Sequence, residues 1–555
     1  MNTPYGNSAP LYEKSVVDYA GLEQKEVHIW GGGMSGMTVA LELSHPLARK
    51  KAKAHGIHLN ITLHEKDNEL GGKLIEKSST TELSTHALRV FTGQYKECLR
   101  IWSEIPTEEG DLVDRMSAFD SAYFTTQSGK VRMVSRKHSD QWKSKVQLFR
   151  TARMYGVPLS DFPKIIKLLR HYKNTPVPDR EPLKEVRAED YLIQFGISKA
   201  GMCFLTNYAG VVVAATKDTS ASSALDLMSK MFVGEELSSI AQSRPNISNA
   251  ATFTVDGPVG QRLIPPMEQE LRRRGVCVRC NEALSSLSFD LQSDRKVVAH
   301  VLGQSKIEAD IHVLALHNTV THRLLQPIAG VSPLQNEGSA GIVIPLSRIP
   351  KPFSERSFRS ATVALDSPWA LAASLMLPHS QGGLYHDDVD FPEGHIALLQ
   401  IVASHFDGKS SNGKTVWEST PEEVVTEMLK QLDVEENCIP EMVAKAVFSR
   451  YLRYISGAER PSDLQNGDLV GPLNSEGCSW VLENAIYNPK PNSPTRAISF
   501  AHIDNLFLCG EGCSNSFPGF QVPTLEQVAG IAVEVSKQVL SQLCAVPSSI
   551  HCQNS

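Results

Sequence analysis

Residues 31–36 read Gly31-Gly32-Gly33-Met34-Ser35-Gly36, and they stand where a short β-like run, Glu26–Trp30, hands over to a helical pattern at Met34–Ser44 with Met37, Ala40, Leu41 and Leu43 apolar. A second strand-like run follows at Leu59–His64. Strand, glycine turn, helix, strand is the βαβ opening of a doubly wound parallel sheet. The three spaced glycines divide the work. Gly31 permits the tight turn, Gly33 lets backbone come close to a pyrophosphate, and Gly36 lets helix pack on strand. Met34 and Ser35 open the helix, where unpaired N–H groups and the positive helix end suit an anion. Ala40 extends the small packing face. The motif by itself recurs by chance; its position between strand and helix is what gives it meaning.

A dinucleotide site of this kind needs an acid at the end of the second strand to hold the adenosine ribose. Glu65 closes Ile61-Thr62-Leu63-His64-Glu65 and fills that role, with a plain surface acid as the alternative. It lies further from the glycines than the usual ~20 residues. The excess is the polar, basic stretch Pro46–Gly56, read as an extended helix end and loop.

With 555 residues, 41% hydrophobic and 21% charged, the chain suffices for two or three domains with a large core. A formal charge of −6 argues against a nucleic-acid binder. Ten scattered cysteines do not form a disulfide framework, which points to a reducing, cytoplasmic setting. Cys277 and Cys280 form a lone CxxC, read as two packed strand residues, and no metal site is expected. No signal peptide or membrane-spanning run is visible.

Residues 129–173 differ from the rest. They carry ten more Lys and Arg than Asp and Glu, interleaved with Trp142, Leu148, Phe149, Met154, Phe162, Ile165, Ile166, Leu168 and Leu169 at helical spacing. An amphipathic helix on an anionic membrane has this composition. So does a helical cap that packs its apolar face on its own domain, the commoner use of such a face. Further on, Gln261–Arg274 reads as a helix closed by Gly275. Strands are expected at Val276–Cys280, Lys296–Leu302, Asp310–Leu316 and Asn505–Cys509, and helices at Glu422–Leu432 and Val522–Leu543.

Four motifs in order resemble the flavin amine oxidase and phytoene desaturase superfamily. Beyond the glycine turn, Glu65-Lys66-Asp67-Asn68-Glu69-Leu70-Gly71-Gly72-Lys73 is similar to the double-glycine motif that lies against the phosphates of FAD, with Lys73 where many members have Arg. His86–Tyr95 resembles a segment of carotenoid desaturases and hydroxysqualene dehydroxylase that passes beside the isoalloxazine. The resemblance puts Leu88 and Arg89 at the flavin, Arg89 being the candidate catalytic residue, with a surface loop arginine as the alternative. Asp256–Gly275 and Val278–Asn281 look like the helix and strand that close the cofactor domain, and Leu284 falls where backbone contacts adenine. Asn505–Glu511 resembles the strand and Gly-acid pair, Gly510 and Glu511, that hold ribityl and pyrophosphate. Pro523-Thr524-Leu525-Glu526 is similar to the start of the helix that aims its N-terminus at the flavin, through Thr524 and Leu525. Asp366–Trp369 resembles a desaturase run but reads most simply as a packed turn, and Phe517–Phe520 either line the pocket or pack a loop.

The resemblance implies an α/β fold: a discontinuous, glutathione-reductase-like Rossmann domain for noncovalent FAD at 25–125, 245–335 and 495–545. An α+β substrate domain would take 126–244 and 336–494, with a flexible arm at 1–24 and a tail at 546–555. It also implies an FAD-dependent oxidoreductase on a small, lipophilic polyene- or isoprenoid-type molecule, with hydride transfer to flavin. Amine or amino-acid oxidation, a flavin-dependent isomerase or hydratase, and a nonenzymatic flavin-binding protein stay open beside it. Peripheral membrane contact through 129–173 rests on the composition of that segment alone and stays open beside the packed cap. HExxH, GxSxG and P-loop patterns are missing from the sequence.

Overall fold

The computed structural model describes residues 21–75, 88–137, 141–233, 237–248, 250–290, 293–303, 306–334, 336–456, 469–483, 485–487, 489–493, 495–513 and 524–545. The expected arm, tail and Phe517–Phe520 loop lie outside these residues, apart from residues 21–24 of the arm.

The glycine turn sits as its pattern predicts. Strand β1 (Glu23–Trp30) runs into helix α1 (Met34–Ser44), and β2 (Ile57–His64) returns parallel to β1. A six-stranded sheet grows from this pair. To one side of β2 lies β3 (Cys277–Arg279). To the other side of β1 lie β4 (Ile311–Leu314), β5 (Ile503–Leu508) and an antiparallel edge, Ser499–Phe500. Helix α2 (Leu525–Leu543) packs on α1. The register aligns the carboxyl ends of the parallel strands. Arg279 is level with His64, His64 with Trp30, Trp30 with Leu314, and Leu314 with Leu508. Segments far apart in the chain thus turn out of the sheet along one edge, where ligands of open α/β sheets bind.

A second, seven-stranded sheet follows the order Val447–Phe448, Ala340–Leu346, Ala397–Ala403, Leu371–Met376, Ser360–Ala364, Ser121–Thr125 and Val131–Ser135. Its central strands Leu371–Met376 and Ala397–Ala403 are buried along their whole length, so they read as continuous apolar runs without alternation. Asp366–Trp369 is the packed turn of a hairpin in this sheet, with Trp369 fully buried and its indole N–H donating to the Gly408 carbonyl at 2.8 Å. Strand Ser121–Thr125 pairs in parallel with Ser360–Ala364, so the chain has already crossed to the second sheet by residue 121.

The structure departs from the local patterns at Pro46–Ala54, at Gln261–Arg274 and at Cys277. Pro46–Ala54 is a helix of its own, with Pro46 in its first turn and the His45 ring accepting the Leu47 N–H at 3.2 Å. The run at Gln261–Arg274 is two helices, Val259–Arg262 and Ile264–Arg273. Pro265 and Pro266 lack the N–H a continuous helix needs and are tolerated only in a first turn. Leu284–Asp290 is a strand paired with Ser293–Val301. The described cysteines are free, and Cys277 is exposed on its edge strand where packing was expected. Among the described residues, no group of His, Cys, Asp and Glu suits a metal ion, and no helix is long and apolar enough to cross a membrane.

The basic segment forms helices Gln141–Met154 and Asp161–Asn174. One face of the second packs inward through Ile165, Leu168, Leu169 and Tyr172, while Trp142, Phe149 and Ile166 are exposed.

Candidate active site

The aligned strand ends open onto one large cavity of about 450 Å³. Its first wall is the glycine turn. Gly31 has φ +106°, and a Cβ there would come within 2.4 Å of the Ala315 carbonyl oxygen. At Gly36 a Cβ would lie 1.9 Å from the Gly31 carbonyl oxygen, so this glycine lets α1 close on the end of β1 and does not itself line the cavity. A Cβ at Gly33 meets no protein atom within 4 Å. That open side, on a residue lining the cavity, is space a ligand can occupy. Gly33 precedes helix α1 as its N-cap, with no side-chain cap and no acid in the first turn, and Met34 and Ser35 line the cavity with it. Uncapped N–H groups and the positive helix end favour an anion here.

The double glycine is stitched to this turn. The Gly71 N–H donates to the Gly32 carbonyl at 2.8 Å, and Gly71 pairs with Gly33 in a parallel bridge. Glu65, beyond the end of β2, is buried. Its carboxylate accepts the Gly32 N–H at 2.7 Å and the Asp67 N–H at 3.0 Å, which fixes its orientation. Burial pushes its pKa up, against those two hydrogen bonds. Lys66, Gly71, Gly72 and Lys73 line the same stretch. Lys73 Nζ lies 2.5 Å from the Glu511 carboxylate. Burial works against the charge on Glu511, but the Lys73 ammonium beside it outweighs burial and holds its pKa below the ordinary value. Gly510, with φ +123°, stands beside Glu511 on the turn after β5. The Arg89 guanidinium donates to the Lys73 carbonyl at 2.5 Å, and Leu88 precedes it in the wall. Leu284 lines the cavity beside Glu282, and Thr524, whose hydroxyl caps α2 at the Gln527 N–H, lines it with Leu525.

Further lining residues are Trp30, His64, Glu282, His317, Tyr95 and Tyr451, of which Tyr95 closes the His86–Tyr95 segment. His64 Nδ1–H donates to the Glu282 carboxylate at 2.7 Å, and the ring stacks on Trp30 with centroids 4.0 Å apart. His317 follows β4 and bridges Thr319 and the Ala485 carbonyl. Burial pushes its pKa down to about 4, so its ring is neutral at pH 7. The available signal was positional, since residues just past the strands of a doubly wound sheet face the ligand crevice. Tyr451 comes from a loop whose placement no local pattern announces, whereas Tyr95 ends a segment that the family resemblance singles out.

A model of the family described as flavin containing amine oxidoreductase matches residues 34–352. The chain belongs to that family. Solved structures share the fold at low identity. An oxidoreductase from Methanosarcina mazei is 13% identical with a TM-score of 0.53, covering 93% of this chain and 99% of that one. Cyclohexylamine oxidase from Brevibacterium oxydans IH-35A is 12% identical with a TM-score of 0.54, covering 94% and 100%. Wild-type putrescine oxidase bound to putrescine is 12% identical with a TM-score of 0.52, covering 94% and 99%. No curated protein matches the chain. A flavin-dependent oxidoreductase therefore has its cofactor site to be found in this fold, and the cavity fits one. It offers an open glycine face at a helix N-terminus for phosphates, a fixed carboxylate for hydroxyls, and cations at Lys73 and Arg89.

Proposed function

We propose that the chain is an FAD-dependent dehydrogenase that desaturates a lipophilic, polyene- or isoprenoid-type substrate. The six-stranded unit holds the cofactor, and the seven-stranded unit with its helices shapes the substrate side. The observation that carries this reading is the second wall of the cavity. Val211, Val212, Val213 and Ala214 come from the end of helix Lys199–Val213, and Ala372 and Val402 come from the seven-stranded sheet. The polar groups beside them are the hydroxyls of Ser339 and Ser404. The carboxylates among the described lining residues, Glu65, Asp67, Glu282 and Glu511, all stand on loops at the strand ends of the six-stranded sheet. An aliphatic wall suits a hydrocarbon chain and offers no counter-ion to an ammonium group.

When bound, flavin accepts hydride from a substrate C–H bond. The protein's part is to bind and orient. Gly33, Met34 and Ser35 would receive the pyrophosphate, Glu65 the adenosine ribose, and Gly510 and Glu511 the ribityl chain. Lys73 and Arg89 would supply positive charge beside them, and the backbone at Leu284 would meet the adenine. The N-terminal end of α2, at Thr524 and Leu525, faces the cavity and favours negative charge there. Binding is noncovalent in this reading. The thiols nearest the last motif, Cys509 and Cys513, are buried in packing, and neither lines the cavity.

The test is mass spectrometry of lipids from polyene-producing cells with and without the protein. A new product lighter by two hydrogens is expected. An unchanged lipid profile with flavin-loaded protein contradicts the reading. Amine oxidation is the second reading, motivated by the Phe91, Tyr95 and Tyr451 rings in the cavity wall, and peroxide release with amines would select it.

A further inference from the structure

The two basic helices present an outer face that the protein core does not cover. Trp142 is 77% exposed, Leu159 61%, Ile166 46% and Phe149 38%. They are neighbours by geometry. Trp142 and Phe149 are seven residues apart, two turns along one face of helix Gln141–Met154. Phe149 meets Phe162 of the second helix with ring centroids 4.2 Å apart. Ile166 lies one turn beyond Phe162, and Leu159 sits in the connection between the helices. The result is an apolar ridge running across both helices.

The exposed charges on the two helices are of one sign. Lys143, Lys145, Arg150, Arg153, Lys167 and Arg170 are exposed on the same two helices. The sole carboxylate in residues 141–174, Asp161, is buried at 1% and accepts the N–H and hydroxyl of Ser198. Structural helices of a soluble surface usually mix the signs and keep large apolar groups apart. An exposed Trp-Phe-Leu-Ile ridge on two helices with a strong excess of cations fits the boundary of an anionic bilayer, with the rings among the acyl chains and the ammonium and guanidinium groups at the phosphates.

We propose that helices Gln141–Met154 and Asp161–Asn174 dock this protein on the surface of an anionic lipid bilayer. The bond from Ser198 to Asp161 and the hydrogen bond of 2.5 Å from Lys164 Nζ to the Gly196 carbonyl tie the docking helices to the start of helix Lys199–Val213. That helix ends in Val211–Val213, which line the cavity. One helix therefore links the lipid-facing layer to the aliphatic wall, which sets the site of a lipophilic substrate close to the bilayer that would supply it. Only this last link rests on the proposed lipophilic substrate; the docking face stands on exposure and charge.

The experiment is co-sedimentation of the flavin-loaded protein with vesicles of phosphatidylcholine alone and of phosphatidylcholine with about one-third phosphatidylserine, at low and high salt. Binding to the anionic vesicles that weakens with salt is expected, with little binding to the neutral ones. Lys143→Glu and Arg150→Glu should each weaken binding by at least about fivefold. The double variant Trp142→Glu, Ile166→Glu should lose sedimentation while retaining its flavin absorbance, which shows that the fold survives. Protein that stays in the supernatant with both vesicles, or a double variant that sediments like the parent, overturns the proposal. Self-association of the parent that the double variant abolishes would give the face to a second copy and overturn it equally. Vesicle binding is read without turnover. Failure to dock alongside a desaturated product would refute the docking alone, and docking without product would refute the substrate alone.

Discussion

Gly33 and Gly36 belong to one motif, yet a side chain at each meets a different obstacle, and this difference is the sharpest test of the cofactor site. At Gly36 an added Cβ would lie 1.9 Å from the Gly31 carbonyl oxygen and 3.3 Å from the Ala315 Cβ. The obstacle is backbone at the end of β1, which cannot swing away, so Gly36→Ala forces α1 off the sheet. Such overpacking costs about 1–3 kcal/mol, against which alanine recovers at most about 1 kcal/mol of helix propensity. The expected result is a lower melting temperature with or without flavin. At Gly33 the Cβ meets no protein atom within 4 Å, and the backbone, at φ −72° and ψ −177°, is allowed to any residue. Gly33→Val should therefore cost the flavin-free fold less than about 1 kcal/mol, the usual scale of a helix-cap change. Its isopropyl group would occupy the space assigned to the pyrophosphate. A clash of about 1–3 kcal/mol weakens binding roughly five- to 150-fold. The assays are thermal unfolding of the flavin-free proteins and visible absorbance after reconstitution. A yellow, flavin-loaded Gly33→Val protein of parental affinity would refute the placement of the phosphates, and an unfolded one would refute the claim that this side of the glycine is open.

Three other perturbations test the surroundings. Lys73→Arg should keep flavin binding and Lys73→Met should weaken it at least about tenfold in a titration, because the charge beside Glu511 is the common requirement; equal affinity in both variants contradicts a phosphate-facing role. Glu526 is buried, and its carboxylate accepts the Glu97 and Cys98 N–H groups at 2.9 and 3.0 Å, capping helix Lys96–Trp102. Glu526→Ala should cost about 1–3 kcal/mol in a denaturant titration, and a loss under about 0.5 kcal/mol would show that water replaces the cap. Burial among His28 and His64 pushes the pKa of His312 down to about 3, against an ordinary 6.5. The unfolded chain then takes up a proton the folded one refuses, so this stability is complete above about pH 6.5 and falls by about 1.4 kcal/mol per unit as pH drops toward 3. Melting curves from pH 7.5 downward should show the slope and His312→Leu should lessen it; an unchanged slope removes His312 from the account.

How much of this was legible beforehand depended on the range of the interactions. The glycine turn, the acid at the end of β2, the double glycine and the last helix each announce themselves within a few residues. Backbone geometry at Gly31 and the period of α1 are local demands that any fold of the chain must meet. The Pro265-Pro266 break is equally local, but an apolar helical pattern continues through it and masks it. The packing of residues 141–174 was readable only by half. Periodicity shows that two faces exist, but which apolar residues are buried depends on what lies beneath. The structure covers Ile165 and Leu168 and leaves Trp142 and Ile166 outside.

The sequence by itself determined the βαβ opening, the glycine turn that joins its strand and helix, and the family of the fold, because these rest on steric rules and motifs acting over one strand, one turn and one helix. Only the tertiary structure decided that Arg279, His64, Trp30, Leu314 and Leu508 stand in one row, which sets the edge of the cavity. Only the tertiary structure turned Glu526 away from that cavity to cap a helix 428 residues earlier in the chain. It also brought Val211–Val213 across from the other unit as the aliphatic wall. Strand register and the burial of one helix face against a distant segment are settled by whole-chain packing, and no local stretch of sequence carries that information.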